Sequence, residues 1–242
     1  MSDSLVLSTD ELFALARLTP QARLLGLITE GRDRSAAARA ERGTRALRER
    51  GLLPPDAGAQ KVGPLEVLAS PDLVIRATHR TGVAVETRSY ISSGELWDEL
   101  RVGDGGYVLV RGRGRFFDAL LAFAAVSGGG RADGEPFVTS LEALNRAAQG
   151  ASDGPPPAAT LVNALRTRAA ATEVASLHWE GRRLVGGELM WIDGAGAGIW
   201  ILEAADAPPH AHETHLRVEP VTRQGLLRRL FEYLPGARIG ST

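Results

Sequence analysis

The chain has 242 residues, is 44% apolar, carries a formal net charge of −1 and contains no cysteine. That length and apolar content suit one large domain or two small ones with a real core. The near-zero charge gives no whole-chain basic field toward nucleic acid or anionic membrane, and the missing thiols exclude disulfides, thiolate metal sites and a cysteine nucleophile.

Asp3, Asp10 and Glu11 stand where a signal peptide would need a basic and then an apolar run. The longest apolar run, Ala119 to Val126, falls well short of the ~20 residues that cross a bilayer. A cytoplasmic protein is therefore expected.

Leu5 to Leu7 predicts a short strand, and Ser8 then opens a helix. Ser8 and Glu11 have the spacing of a capping box, in which each side chain satisfies the other's free backbone N–H. Thr19-Pro20 stops that helix. Ala22 to Ile28 reads as either strand or helix. Ser35 to Arg50 is rich in Ala, Arg and Glu and ends at Gly51, which predicts a helix with a basic last turn (Arg45, Arg48, Arg50) and a mostly solvated face. Leu65 to Ala69 predicts a short helix. Leu73 to His79 and Val83 to Ile91 predict two strands turned at Arg80-Thr81-Gly82, the second alternating Val83, Val85, Thr87, Ser89 against Ala84, Glu86, Arg88, Tyr90.

Ser92 to Gly106 reads as a longer connection, followed by a strand at Tyr107 to Arg111 and an apolar helix from Phe116 to Val126. Thr139 and Glu142 have capping-box spacing and open a helix to Gln149. Gly150 to Pro157 is a breaker-rich linker, and Thr160 to Arg168 a further helix. From Thr172 to Ala204 comes a meander: strands at Val174–Trp179, Leu184–Ile192 and Ile199–Glu203, turned at glycine-bearing Glu180–Arg182 and Asp193–Gly198. A strand at His215 to Val218 and an amphipathic helix from Arg223 to Leu234 complete the order.

The second part repeats the first. Tyr107–Arg111 followed by FFDALLAF matches His215–Glu219 followed by QGLLRRLF, and a one-glycine hairpin lies upstream of each, at Gly82 or Gly181. The expected fold class is α+β: two similar halves, 1–137 and 138–242 of one 1–242 domain. A pseudo-two-fold axis would relate them, with central antiparallel sheets covered by helices.

No metalloprotease H-E-x-x-H and no P-loop is present, and no enzyme activity is expected. His210, His212 and His215 are the one cluster of ligand-type side chains. They leave open a metal-binding protein or metal-dependent enzyme, against a plain loop entering a strand. Arg111-Gly112-Arg113-Gly114-Arg115 has the look of a single-strand-binding tract, but Phe116 and Phe117 start an apolar helix and belong in a core. The alternating Gly194, Gly196 and Gly198 fit a hairpin tip better than a phosphate cradle. Glu95-Leu96-Trp97-Asp98-Glu99-Leu100 has two readings. Leu96, Trp97 and Leu100 form a helical turn packed on the sheet, or they form an apolar anchor with an acidic rim of Glu95, Asp98 and Glu99 for a partner.

Several segments, taken in order, resemble one family. They are LVLSTDELFALARL, ALRERGLL, LEVLASPDLVIR, PFVTSLEAL, EGRRL followed by WIDGAGAGIWIL, and LLRRLFEYLP. Together they are similar to EspG, the cytosolic chaperone of actinobacterial type VII (ESX) secretion. The resemblance implies a single α+β unit of two similar halves, no enzyme activity and no cofactor. It implies binding of the helical tip of a PE–PPE heterodimer, which keeps that cargo soluble for export. The family's cargo-contacting loop between the second and third strands of its N-terminal half matches Ser92–Gly106 here, which selects Leu96, Trp97 and Leu100 with the rim Glu95, Asp98 and Glu99. A stand-alone interaction domain without a secretion role is the third alternative.

Overall fold

The computed structural model describes residues 4–18, 35–53, 65–104, 106–126, 132–150, 159–166, 170–180, 183–194, 198–205 and 214–233. The strands are β1 (Ser4–Leu7), β2 (Leu73–Thr81), β3 (Ala84–Ser93), β4 (Leu96–Gly103), β5 (Gly106–Arg111), β6 (Phe137–Ser140), β7 (Ala170–Glu180), β8 (Arg183–Asp193), β9 (Ile199–Ala204) and β10 (His215–Val221). The helices are α1 (Thr9–Leu18), α2 (Ala36–Glu49), α3 (Glu66–Ala69), α4 (Phe116–Phe123), α5 (Leu141–Ala148), α6 (Ala159–Arg166) and α7 (Arg223–Tyr233). The fold is α+β. The described strands make one ten-stranded sheet in the order β1-β5-β4-β3-β2-β7-β8-β9-β10-β6, and every neighbouring pair is antiparallel.

Tight turns build most of that sheet. Gly82 takes φ +60° between β2 and β3, and Gly94 takes φ +58° between β3 and β4, a left-handed backbone that glycine adopts without a Cβ penalty. The seam at the centre is β2 against β7, from Leu73 opposite His178 to Arg80 opposite Ala171. His79 bridges it: one ring nitrogen lies 2.9 Å from the Thr172 hydroxyl and the other 2.9 Å from Thr81. Burial holds this imidazole below its ordinary pKa.

Alternation along the strands sends side chains to two faces. On the first, Ile75, Ala77, Tyr90, Val174, Leu189, Trp191 and Ile201 pack under Phe117, Leu120 and Leu121 of α4 and Leu226 and Leu230 of α7. The rings of Phe117 and Phe231, 4.3 Å apart, join the two helices. The second face is covered in two separate places. Leu12 and Leu15 of α1, Leu47 of α2, and Val67 and Leu68 of α3 cover Val74, Ile91, Leu100 and Leu109. Leu144 of α5 and Leu161 and Ala164 of α6 cover Ile192, Trp200, Leu202 and Val218.

The predicted capping box at α1 forms: the Ser8 N–H donates to Glu11 at 2.7 Å, and the Glu11 N–H donates to Ser8 Oγ at 3.2 Å. The second predicted box does not form, and a simple N-cap stands one residue later, with Ala143 offering no side chain to return the bond. Ser140, the last residue of β6, and not Thr139 accepts from the Ala143 N–H. Arg45 and Arg48 of α2 are exposed, as expected of a solvated face, but Arg39, Arg42 and the C-cap Arg50 turn to α1. Arg39 and Arg42 both reach Asp10 at 2.9 Å, and Arg50 reaches Glu11 at 2.7 Å. Gly43 permits this tight crossing of α1 and α2, since a Cβ there would collide with the Asp10 carbonyl. The Arg39 hydrogen bond leads the effects that hold Asp10 below the usual carboxylate range. Burial pushes Glu11 up, but the Ser8 N–H and Arg50 together outweigh it and hold the carboxyl low.

Candidate partner-binding surface

The segment predicted as a connection, Ser92 to Gly106, contains a strand. The chain turns at Gly94, whose N–H donates to Asp72 Oδ2 at 2.7 Å, and runs back as β4 with Trp97 opposite Ser92 and Leu100 opposite Ser89. Neither a helical turn nor a loop anchor describes it. A strand alternates its side chains, so the six candidate residues do not converge on one patch.

Leu100 is 4% exposed and packs with Leu109 and Ile91 under α1 and α3. Asp98, 1% exposed, points to that same face and meets Arg111 Nε at 2.6 Å. Burial pushes the Asp98 carboxyl up to about 6, against the pull of Arg111. Trp97 and Glu99 point the other way. The Trp97 ring lies flat on Gly112, where no Cβ would fit, contacts Tyr90 and Phe116, and donates its indole N–H to the Gly114 carbonyl at 3.1 Å. Glu99 pairs with Arg88 at 3.3 Å. Only Leu96, 41% exposed, and Glu95 remain open to a partner.

The arginine–glycine tract is likewise structural in its described contacts. Arg111 holds Asp98, Gly112 seats Trp97, and Phe117 is buried in the core as predicted. At the meander tip the Gly194 N–H donates to the Gly198 carbonyl at 2.9 Å. Gly198, at φ +100°, lies against Ala132 where a Cβ would clash. His210 and His212 fall outside the described residues, while His215 opens β10 opposite Ser140 and Gly196 is not described. Among the described residues no group of three acidic or imidazole side chains is placed to hold a metal ion, and no helix is long and apolar enough to cross a membrane.

What sequence reasoning missed lies at the other end of the same strands. Between the two helical coverings no described element covers the second face across β3, β2, β7 and β8. Arg76 and Arg80 on β2, Glu173 on β7 and Glu188 on β8 are exposed there, and Thr78, Thr87 and Met190 are half-buried. Thr78 and Thr87, 3.2 Å apart across β2 and β3, fix the face on which these side chains stand. At its edge Val85, directly opposite Arg80, is 55% exposed; Val83 at the hairpin tip is 87% exposed; Val102, near the β4–β5 turn, is 74% exposed. Val102 shares the face of Leu100, two residues before it, so β3 and β4 present an apolar patch beside an open, charged trough. The alternation of Val83, Val85 and Thr87 signalled that face in the sequence but not its exposure.

No family model matches the chain, and no curated protein is detectably similar. Among solved structures the chain is similar to the type VII secretion system chaperone EspG5 of Mycobacterium tuberculosis, solved in complex with the PE25–PPE41 dimer. The TM-score is 0.55 at 16% sequence identity, and the match covers 97% of this chain and 96% of that one. Identity that low speaks for the fold.

Proposed function

We propose that this protein is a type VII (ESX) secretion chaperone of the EspG kind, which binds a helical, PE/PPE-like secreted protein in the cytosol and keeps it soluble for export. One observation carries the reading: the fold matches such a chaperone from end to end, with almost no residue of either chain left over. The open sheet face and the exposed valines at its rim are in keeping with it, because a holdase for helical cargo needs accessible apolar surface and no catalytic group.

Residues 1–137 and 138–242 are the two halves of one unit, related by a pseudo-two-fold axis at the β2–β7 seam. The strand order read outward from that seam supports this: β2-β3-β4-β5-β1 on one side and β7-β8-β9-β10-β6 on the other. Cargo docks on the valine patch of β3 and β4, with Leu96 and Glu95 as a secondary contact at the opposite end of β4.

Co-expression with a PE/PPE-like pair encoded by the same genome, followed by affinity capture, tests the reading. A complex of fixed stoichiometry that raises the yield of soluble cargo is the expected result. Cargo that stays equally soluble alone and is not captured would overturn it.

A further inference from the structure

Several of the described arginines are held in ion pairs. Arg39, Arg42, Arg50, Arg88, Arg111 and Arg229 each lie within ion-pair distance of a carboxylate. Arg76 and Arg80 differ. Both are exposed on the open face, and neither has an ion pair among the described residues. Glu173 lies across the seam opposite Thr78, between the two, yet pairs with neither. Arg80 stands directly opposite Val85. Arg80 thus stands beside the exposed valines, and Arg76 lies on the same face beyond the Thr78–Thr87 row, a layout that matches apolar groups with carboxylates to one side.

We infer that this surface selects a helical-hairpin tip whose apolar apex is bordered by Asp or Glu. Val83, Val85 and Val102 take the apex, and Arg76 and Arg80 take the acids. The inference rests on the helical-cargo reading above and adds its charge rule. Guanidinium forks fit carboxylates in pairs, while the acidic side of the trough, Glu173 and Glu188, lies on β7 and β8 and repels an acid placed too far across. The trough therefore fixes the side on which the tip sits as well as its sign.

Two synthetic helical-hairpin peptides with the same leucine apex, one flanked by Glu and the other by Lys, test it by fluorescence anisotropy with the full chain. The Glu-flanked peptide is expected to bind about tenfold more tightly at low salt, with the margin shrinking as salt is raised. The double variant R76E/R80E, with circular dichroism checking its fold, is expected to abolish or reverse the preference, and V85S/V102S to weaken both peptides alike. Equal binding of the two peptides that V85S/V102S abolishes overturns the charge rule and leaves the helical-cargo reading standing. Binding of neither overturns both. A concentration-dependent dimer in sedimentation that R76E/R80E removes also overturns the inference, since it assigns the trough to a second copy of the chain.

Discussion

Asp98 separates a structural carboxylate from a contact residue, and its pH behaviour gives the measurement. In the folded chain it is 1% exposed against Arg111, and burial raises its pKa from 3.8 to about 6. A raised carboxyl favours the protonated form in the folded state. The stability this contributes is fully present below pH 3.8, declines as the pH rises toward 6, and is gone above that. The difference corresponds to about 3 kcal/mol between the two limits. Asp98→Asn keeps the side chain neutral and close in shape at every pH. Urea unfolding of both proteins from pH 4 to 8 should show nearly equal stability at the acid end. At neutral pH the variant should be more stable by up to about 3 kcal/mol, less any hydrogen bond that Arg111 loses. Taking the difference between the two proteins removes the other titrating groups, including Glu11, whose effect runs in the opposite direction. A variant destabilised by the same amount across the whole range would refute the reasoning and show that the ion pair is net stabilising.

Three further outcomes are expected. Leu100→Ala, in the core under α1 and α3, should cost about 2–5 kcal/mol in urea unfolding, whereas Leu96→Ser should stay within about 0.5 kcal/mol. Gly43→Ala would gain about 1 kcal/mol in an exposed helix, but its Cβ meets the Asp10 carbonyl, so melting should show a net loss of about 1–3 kcal/mol. Glu11→Gln should destabilise by about 1–3 kcal/mol at neutral pH. That gap should narrow as the pH falls below 4.5, because the Glu11 pKa is held low and its contribution is lost on protonation.

Much of the sheet was legible because its turns are short and carry glycine: Gly82 marks the β2–β3 hairpin, and the Val, Ile and Trp runs mark β7 to β9. β4 was hidden by its own composition. Glu95, Asp98, Glu99 and Arg101 break the apolar alternation, and Asp98 is tolerated inside only because Arg111 arrives from β5, a partner no local pattern reveals. The signal that could have found it was the pair of glycine-bearing turns that bracket Leu96–Gly103. The exposure of the β3 end was hidden for a related reason. An apolar alternation in β3 reads as the buried side, yet the described helices of the second face stop short of the hairpin end, so Val85 is exposed while Ile91 is enclosed.

The β2–β7 seam also has a consequence for the nascent chain. Six of the nine strand pairings join neighbours in sequence and close as the residues leave the ribosome. The seam does not: Arg80 must wait for Ala171. At ordinary elongation rates that wait is roughly 5–20 s. Throughout it β2, paired with β3 on one side, leaves its other edge open along nine residues that include Leu73, Val74 and Ile75, a row of free backbone groups of the kind that recruits foreign strands. A protein whose proposed task is to keep others from aggregating therefore spends the first seconds of its own existence with the longest edge of its N-terminal half unsealed.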